Sequence, residues 1–302
     1  MNLTNNQFEV LTYIEKNKDN KITQREIGIE TSLALGTINK IIGELMTNNL
    51  IKNDDELGVK ITNEGLTVLE PYKVKRAIFL AAGFGSRLVP ITLNTPKPLI
   101  MVHGKKIIET LLDAVIAAGI EEIIIVRGYL LDQFDILLKK YPMIKFVDNL
   151  LYNEANNISS TYLVRDKMEN AYVFESDLYL YNSNLIRKYE FSSNYLGMYM
   201  DKTDDWCFEE RNGYISKLQV GGFKCYHMFG IAYLDKKAGQ LFKTDVEKVY
   251  IMPGGKEKFW DQVHLEVFKN NYKFMIRDCK INDIVEIDTF NELKEIDSIY
   301  NV

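Results

Sequence analysis

Hydrophobic residues in the first quarter of the chain recur at the spacing of α-helices. Phe8, Leu11 and Ile14 share one face of a first predicted helix, and the segment TQRE supplies a capping box for a second. GTINKIIGELMTNNL repeats the helical spacing, and LIKNDDELGVKIT carries two short strands around a polar turn. With a last short helix, this pattern predicts a small domain of helices and one hairpin over residues 1–73.

From Val74 onward, the pattern changes to strands that alternate with helices. KRAIFLAAG predicts a buried strand that ends in glycine, KIIETLLDAVIAAGI a helix and EEIIIVRGY another strand. YPMIKFVDN and NAYVFESDLYL predict two more strands, with a helix between them that starts near Ser159. This alternation predicts an α/β domain over residues 74–302 with a mostly parallel, Rossmann-like sheet. The ligand of such a sheet binds at the carboxyl ends of its strands.

The composition is that of an ordinary globular protein. Of 302 residues, 46% are hydrophobic and 26% are charged, and the formal net charge is −5. The chain therefore lacks the overall positive charge that would indicate a nucleic acid or a membrane surface as partner. Cys207, Cys225 and Cys279 are widely spaced and predict free thiols rather than a disulfide framework. MNLTNNQFEV lacks the regions of a secretory signal, and no apolar run has membrane-spanning length, so we expect a cytoplasmic protein.

The stretch LAAGFGSRLVPITLNTPKPL follows the first buried strand of the second domain. Gly83 and Gly85 allow positive φ and let backbone N–H groups approach an anion closely. Arg87 can bind two phosphate oxygens at once, and Lys97 is a point charge between two prolines. The loop matches neither GxxxxGK[ST] nor the dinucleotide pattern GxGxxG, which would need a third glycine. These residues predict a loop that binds the phosphates of a nucleotide.

This stretch resembles the nucleotidyltransferase signature LAAGxGxRxxPxTxxxPKPL, with an unbroken match from Leu80 to Leu99. The resemblance implies an enzyme that joins a nucleotide to a phosphorylated compound. It also implies contacts of Arg87 with the β- and γ-phosphates and of Lys97 near the α-phosphate. The nucleotide-binding positions that it implies in the loop are Leu80, Ala81, Ala82, Gly83, Gly85 and Ser86.

Two aspartates at predicted strand ends are candidates for holding a metal ion. Nucleotidyl transfer brings an anion to a polyanion, and Mg²⁺ typically binds one or two protein carboxylates. Asp177 closes YVFESD and Asp288 lies in DIVEID, although Asp288 could instead cap the helix that follows. Nucleotidyltransferases coordinate the ion with one acid after the central strand and one near the C-terminus. The resemblance therefore implies Asp177 and Asp288 as Mg²⁺ ligands, and Glu175 departs from the Asp-x-Asp pattern of relatives.

The second domain also resembles the bacterial CTP:phosphocholine cytidylyltransferases of the LicC type. The similar segments are IIIVRGYLLDQFDIL, NEANNISSTYLV, NAYVFESDLYL, FWDQV and DIVEIDTFNELKEI. The resemblance implies CTP and phosphocholine as substrates, and CDP-choline and pyrophosphate as products. It implies nucleobase contacts from Asn157 and Ser160. Asn156 or Ser159 would serve as well, and an Asn-rich loop is also an ordinary turn and helix cap.

Choline carries a quaternary ammonium group, which aromatic rings and nearby acids recognise. The two tryptophans, Trp206 and Trp260, have acidic neighbours. An isolated tryptophan usually packs in a core, but both match positions that line the choline pocket in the resembled family. Asp261 and Glu286 match acids beside that pocket, and Phe259 stands where a tyrosine is common. The lost hydroxyl leaves open a primary amine, such as phosphoethanolamine or 2-aminoethylphosphonate.

Two other functions stay open. A sugar-1-phosphate nucleotidylyltransferase shares the glycine loop, but the sequence lacks the Glu-Lys-Pro segment of that branch. A nucleotide-sensing regulator would explain residues 1–73, which resemble the winged helix-turn-helix domains of bacterial regulators. That region holds eight Lys and Arg against eleven Asp and Glu, a net charge of −3 that disfavours DNA binding. We therefore expect dimerisation or docking there, and a homodimer is a candidate assembly.

Overall fold

The apolar stretches at the start of the chain form helices and a hairpin, as their spacing predicts. The computed structural model describes residues 2–56 and 58–301, and the chain divides into two units, Met1–Lys73 and Val74–Val302. Thr23 and Glu26 form the capping box of the second helix. The elements of the first unit are α1 (Asn5–Lys16), α2 (Gln24–Thr31), α3 (Leu35–Thr47), the antiparallel strands β1 (Ile51–Asp54) and β2 (Gly58–Ile61), and α4 (Asn63–Leu69).

The second unit alternates strands with helices. Its strands are β3 (Arg76–Ala81), β4 (Met101–Val102), β5 (Lys105–Lys106), β6 (Glu122–Arg127), β7 (Ile144–Asp148), β8 (Ala171–Glu175), β9 (Leu178–Leu180), β10 (Asn194–Arg211), β11 (Tyr214–Leu234), β12 (Met275–Asp278) and β13 (Ile284–Glu286). Its helices are α5 (Ile107–Ala117), α6 (Ile158–Leu163), α7 (Lys236–Ile251) and α8 (Phe290–Ile296). Among the described residues, no helix has both the length and the apolarity that crossing a membrane requires.

Seven strands form one mostly parallel sheet in the order β10-β12-β11-β8-β3-β6-β7. β8, β3, β6 and β7 run parallel to one another, whereas β11 is antiparallel to β8 and to β10. This arrangement confirms the predicted α/β class. The chain leaves β3 toward β6 and β7 and returns on the other side of β3 as β8, so the strand order reverses beside β3. Ligands of α/β sheets bind at such a point.

Both faces of the sheet are covered, which accounts for the continuous apolar sequence of β3. Phe79 packs on the side of α5, while Ile78 and Leu80 pack on the side of α7. The rings of Phe79 and Phe174 stack with their centroids 4.7 Å apart and so join β3 to β8. Leu80 is in register with Glu175, so the two strands end at one edge of the sheet.

A separate two-stranded sheet carries the C-terminal acids to the same edge. β13 pairs antiparallel with β9, and Glu286 lies opposite Leu178. The Ile287 N–H donates to the Asp177 carbonyl oxygen over 3.0 Å. Because β9 follows β8 after a short turn, this pairing brings the segment after β13 beside the segment after β8.

Candidate active site

The loop after β3 packs its backbone against the side chain of Lys97. Gly85 has a φ of +69°, and a Cβ there would lie 3.1 Å from Lys97 Cβ and 3.3 Å from Thr92 Cγ2. The Thr92 hydroxyl donates to the Gly85 carbonyl oxygen over 3.0 Å. Gly83 is exposed, and a Cβ there would meet open space in the described structure. The two glycines keep the loop nearly free of side chains, so backbone N–H groups can face an anion.

Lys97 places its ammonium group between two carboxylates that lie far apart in the sequence. Its Nζ donates to Asp177 Oδ2 over 2.9 Å and to Asp288 Oδ1 over 2.8 Å. Burial alone would lower the pKa of Lys97, but the charges of Asp177 and Asp288 outweigh it and raise the pKa to about 12. Arg87, which is largely exposed, also donates to Asp288 Oδ1 over 2.8 Å. Two cations and two acids therefore form one group at the strand ends.

Three carboxylates converge beside this group. One oxygen each of Glu175, Asp177 and Glu286 lies within 4.8 Å of the others. Burial and then the charge of Asp261 raise the pKa of Glu175 well above its ordinary value. Burial and then the charge of Asp177 raise the pKa of Glu286 in the same way. Asp177 Oδ1 is buried and has no hydrogen-bond partner among the described residues. Oxygen ligands with an acceptor left over suit a hard divalent cation.

The structure groups the predicted metal ligands differently from the sequence analysis. Asp177 belongs to the three-carboxylate cluster and also accepts from Lys97, whereas Asp288 is not one of the three and accepts from Lys97 and Arg87. Glu175, and not Asp288, is a member of the cluster. Its position at the end of β8 is the feature of the sequence that could have indicated this. Asp288 also meets the start of α8, because its N–H donates to Glu292 Oε2 over 2.8 Å.

A cavity of about 500 Å³ opens at this edge of the sheet. The predicted site residues that line it are Leu80, Ala82, Gly83, Arg87, Asn157, Ser160, Asp177, Trp206, Phe259, Asp261, Glu286 and Asp288. Within the described structure, the predicted residues that do not line it are Ala81, Gly85, Ser86, Lys97 and Trp260. Lys97 is instead buried, in contact with two of the acids that line the cavity. Asn149, Tyr152 and Asp205 also line the cavity, although no sequence motif marks them.

Two aromatic rings line part of the cavity. Trp206 and Phe259 meet edge to face, with ring centroids 5.7 Å apart and planes at 69°. Trp260 is fully buried, and its ring centroid lies 6.1 Å from that of Tyr195 and 5.9 Å from that of Phe242. This corrects the prediction that both tryptophans line an amine pocket. The Trp260 indole packs in the apolar core beside α7. The neighbouring Phe259 supplies the second ring of the cavity wall, next to Trp206.

Asp261 also lines the cavity, and a buried network holds it there. The Tyr195 hydroxyl lies 2.5 Å from Asp261 Oδ1 and 2.6 Å from His264 Nε2. Since the hydroxyl has one proton, its donation to Asp261 requires His264 to donate from Nε2. Burial raises the pKa of Asp261 to about 7, although the Tyr195 hydrogen bond opposes this, and burial lowers the pKa of His264 to about 3. No sequence pattern marks His264 or Tyr195.

Another wall of the cavity is built around the buried Asn149. Its Nδ2 donates to Ser159 Oγ over 2.9 Å and to Ser160 Oγ over 3.0 Å. Ser160 therefore keeps its hydroxyl proton for another acceptor. Asn157 lines the cavity as well, but both ends of its side-chain amide have protein partners.

Sequence comparison relates the chain to known enzymes. The sequence profile described as Nucleotidyl transferase matches residues 76–193. The 2-aminoethylphosphonate cytidylyltransferase of Lancefieldella rimae is 35% identical over 232 residues, which cover 74% of this chain and 92% of that protein. The choline-phosphate cytidylyltransferase of Streptococcus pneumoniae is 32% identical over 229 residues, which cover 74% of this chain and 97% of that protein.

Solved structures share the fold of the second unit. The CTP:phosphocholine cytidylyltransferase of Streptococcus pneumoniae (LicC) superimposes with a TM-score of 0.69 at 31% identity, over 75% of this chain and 99% of that one. The inositol-1-phosphate CTP transferase of T. maritima has the same fold, with a TM-score of 0.60 at 17% identity over 76% of this chain and 94% of that one. The chain belongs to the nucleotidyl transferase family. It is an enzyme of that class, and the two bacterial relatives described above, which cover 74% of its length, are named as cytidylyltransferases.

Proposed function

We propose that the protein transfers a cytidylyl group from CTP to phosphocholine, with release of CDP-choline and pyrophosphate. The observation that carries this proposal is a single cavity that joins the glycine loop to a pair of rings and several acids. The loop suits a triphosphate. The rings of Trp206 and Phe259, with Asp261 nearby in sequence, suit a cationic headgroup. The names of the two bacterial relatives support CTP as the nucleotide.

The glycine loop, its two cations and the acids that bind them account for catalysis without a general base. A phosphate oxygen of phosphocholine, already ionised at neutral pH, would attack the α-phosphorus of CTP in line with the leaving pyrophosphate. Lys97 has three N–H donors and uses two on Asp177 and Asp288, so one can bind a phosphate oxygen. Arg87 is exposed enough to turn from Asp288 to two phosphate oxygens. The chain thus contributes alignment and neutralisation of charge.

We further propose that Mg²⁺ binds at Asp177, beside the other two carboxylates of the cluster. Asp177 offers oxygen ligands, and its Oδ1 has no other partner in the described structure. Asp288 shares Lys97 with Asp177 and so lies within reach of the same ion. When bound, Mg²⁺ would neutralise charge on the phosphates and on the leaving pyrophosphate.

A primary amine is the second candidate for the acceptor. Asp205, Asp261 and Glu286 line the cavity, and a primary ammonium group can donate three N–H bonds to such acids. The relative from Lancefieldella rimae is named for 2-aminoethylphosphonate, which carries this group. Phe259, which has no hydroxyl, leaves the recognition of such an amine to the acids.

Pyrophosphate release in the presence of Mg²⁺ tests the reaction. CTP, UTP, ATP and GTP are each paired with phosphocholine, phosphoethanolamine, 2-aminoethylphosphonate and glucose-1-phosphate. We expect release with CTP and phosphocholine. Preference for a primary amine would keep the class of enzyme and replace ring recognition by acid recognition. Release with glucose-1-phosphate alone would refute an amine acceptor, and no release from any pair would favour the nucleotide-sensing regulator.

We propose that residues 1–73 form a winged-helix-like domain that serves dimerisation or docking. Its net charge is −3, and Asp54, Asp55 and Glu56 stand at the end of β1 and in the turn that follows. Both features disfavour the phosphate backbone of DNA. The test compares the mass in solution of the full chain with that of residues 74–302, and we expect only the full chain to form a dimer. A monomeric full chain would contradict the dimer, and a gel shift of genomic fragments by the full chain, with or without CTP, would show that the domain also binds DNA.

We also place the enzyme in the cytoplasm. Cys207, Cys225 and Cys279 are buried and free in the structure, which suits a reducing compartment. Thiol counting by mass spectrometry, on protein purified without reductant, should find these three thiols free. A disulfide between any two of them would argue for an oxidising compartment.

A further inference from the structure

The side-chain amide of Asn157 joins two parts of the cavity wall. Its Nδ2 donates to Glu175 Oε1 over 3.1 Å, and its Oδ1 accepts from the backbone N–H of Trp260 over 2.8 Å. Glu175 is the last residue of β8, and Trp260 lies between Phe259 and Asp261. Asn157 therefore links the acids at the end of the sheet to the segment that carries a ring and an acid of the amine site.

The preceding residue strengthens the same link. The Asn156 N–H donates to the Lys256 carbonyl oxygen over 2.7 Å, and Asn156 Nδ2 donates to the Glu257 carbonyl oxygen over 3.2 Å. Asn156 Oδ1 in turn accepts from the Asn157 N–H over 2.7 Å. The two asparagines thus hold the segment before Phe259 at several points, and their polar groups are largely used in doing so.

A glycine on β11 packs directly against the Glu175 side chain. A Cβ at Gly230 would lie 2.5 Å from Glu175 Oε2 and 2.6 Å from both Glu175 Cβ and Cγ. A side chain at Gly230 would therefore have to displace the Glu175 side chain. The Glu175 side chain is therefore packed against bare backbone on one side and bonded to Asn157 on another.

We propose that Glu175 and Asn157 are positioning residues for the amine subsite. Glu175, seated on Gly230, orients the Asn157 amide, and Asn157 fixes the backbone from which Phe259 and Asp261 face the cavity. The proposal rests on the proposed function, because it concerns the amine subsite of the same reaction. It assigns Asn157 to the amine end of the cavity instead of the nucleobase that the sequence resemblance implies.

Steady-state kinetics of Asn157→Ala test this assignment. We expect the KM for the amine to rise about tenfold, the effect of losing a structural hydrogen bond of ordinary strength. The KM for CTP and the preference for CTP over UTP should stay as in the wild type. Asn271→Ala removes an exposed asparagine outside the site and serves as the matched control, with all constants unchanged. Ser160→Ala, on the wall built around Asn149, is the contrast expected to change the KM for CTP.

Gly230→Ala is the second variant, because it displaces Glu175 without changing Asn157. We expect the same selective rise in the KM for the amine. A rise in the KM for CTP with weaker discrimination against UTP in Asn157→Ala would overturn the proposal in favour of base reading. Equal losses in every constant in both variants would also overturn it, since they indicate a general structural defect.

Hydrogen exchange separates this proposal from the proposed function. In the ligand-free protein, the amide of Trp260 should exchange faster in Asn157→Ala than in the wild type, whatever the substrate is. Unchanged exchange would overturn the positioning role. If the wild type proves to use 2-aminoethylphosphonate, the proposed acceptor fails, but the kinetic test continues with that amine. If no amine reacts, the proposed function fails and the exchange result still decides the positioning role.

Discussion

At the scale of single residues, the site depends on one buried ammonium group. Lys97 holds Asp177 and Asp288 within hydrogen-bond distance of one cation, and these acids would otherwise repel each other. Its raised pKa, about 12, means that the ammonium stays charged throughout the physiological range. The group can therefore meet a phosphate at any pH at which the enzyme would work.

Lys97→Ala should lower kcat by about 100-fold or more, as expected for loss of a positioned charge at a reacting phosphate. The measurement is pyrophosphate release at saturating CTP and amine. Lys243→Ala is the control, since Lys243 is an exposed lysine that pairs with Asp166 away from the cavity. A wild-type kcat in Lys97→Ala would remove this residue from the mechanism.

Asp177→Asn should raise the Mg²⁺ concentration needed for half-maximal rate. The variant keeps the size of the side chain but removes the charge that attracts the ion, and it leaves Lys97 with one carboxylate instead of two. Rates measured across a Mg²⁺ titration give the shift, and Asp166→Asn on the surface provides the control. Full activity of Asp177→Asn at low Mg²⁺ would exclude Asp177 as a ligand.

At the scale of elements, the glycine loop combines two different requirements. Gly85 has positive φ and lies against Lys97, so the protein's own structure requires glycine at this position. A Cβ at Gly83 would meet open space in the described structure, so a requirement for glycine there would come from the bound ligand. Substitutions at these two glycines can therefore distinguish the effect of backbone geometry from the effect of ligand contact.

Gly85→Ala should destabilise the protein by about 1 kcal/mol or more, because an L-residue is strained at positive φ. The thermal midpoint should fall by about 2–4 °C per kcal/mol for a domain of this size, and kcat should fall because Lys97 is pushed aside. Gly83→Ala should leave the thermal midpoint unchanged and raise the KM for CTP. Thermal unfolding and kinetics on both variants check this, and an equal loss of stability in both would contradict it.

At the scale of the whole molecule, buried titratable groups set the response to acid. His264 is neutral in the folded protein because burial lowers its pKa to about 3 from an ordinary value of 6.5. Below pH 6.5 the unfolded chain therefore binds a proton that the folded protein does not. The free energy of unfolding consequently decreases as the pH decreases. Asp261, whose pKa is raised to about 7, binds its proton first in the folded state and opposes this fall down to about pH 4.

His264→Gln should therefore gain stability relative to the wild type as the pH falls. The gain should be about 2 kcal/mol between pH 8 and pH 5, because one pH unit below the unfolded pKa corresponds to about 1.4 kcal/mol. Urea unfolding of both proteins at the two pH values measures the difference. The change with pH is the readout, because the substitution also alters the partner of Tyr195 at every pH. A constant difference would show that His264 takes up a proton in the folded protein.

Much of the architecture could be predicted because its signals are local. The continuous apolar runs of β3 and β6 indicate strands covered on both faces, and a strand needs no distant partner to show this pattern. The glycines of the loop after β3 and the acid at the end of β8 follow directly from where those strands end. The helices and hairpin of residues 1–73 are visible for the same reason.

The positions of side chains across the site could not be predicted in this way. Trp260 and Phe259 are neighbours with similar chemistry, and only the packing around α7 determines which ring enters the core. Asn157 resembles a ligand-binding residue in sequence, and its partners Glu175 and the Trp260 N–H are visible only after folding.

The sequence by itself determined the class of fold, the phosphate-binding loop and the kinds of charge available for chemistry, because strand periodicity, glycine and side-chain charge are local properties. Tertiary structure alone decided that Lys97 would lie between Asp177 and Asp288, which are 80 and 191 residues away from it. The pairing of β9 with β13 brings these acids together. That pairing is a long-range contact, and a single sequence carries no record of which distant strands meet.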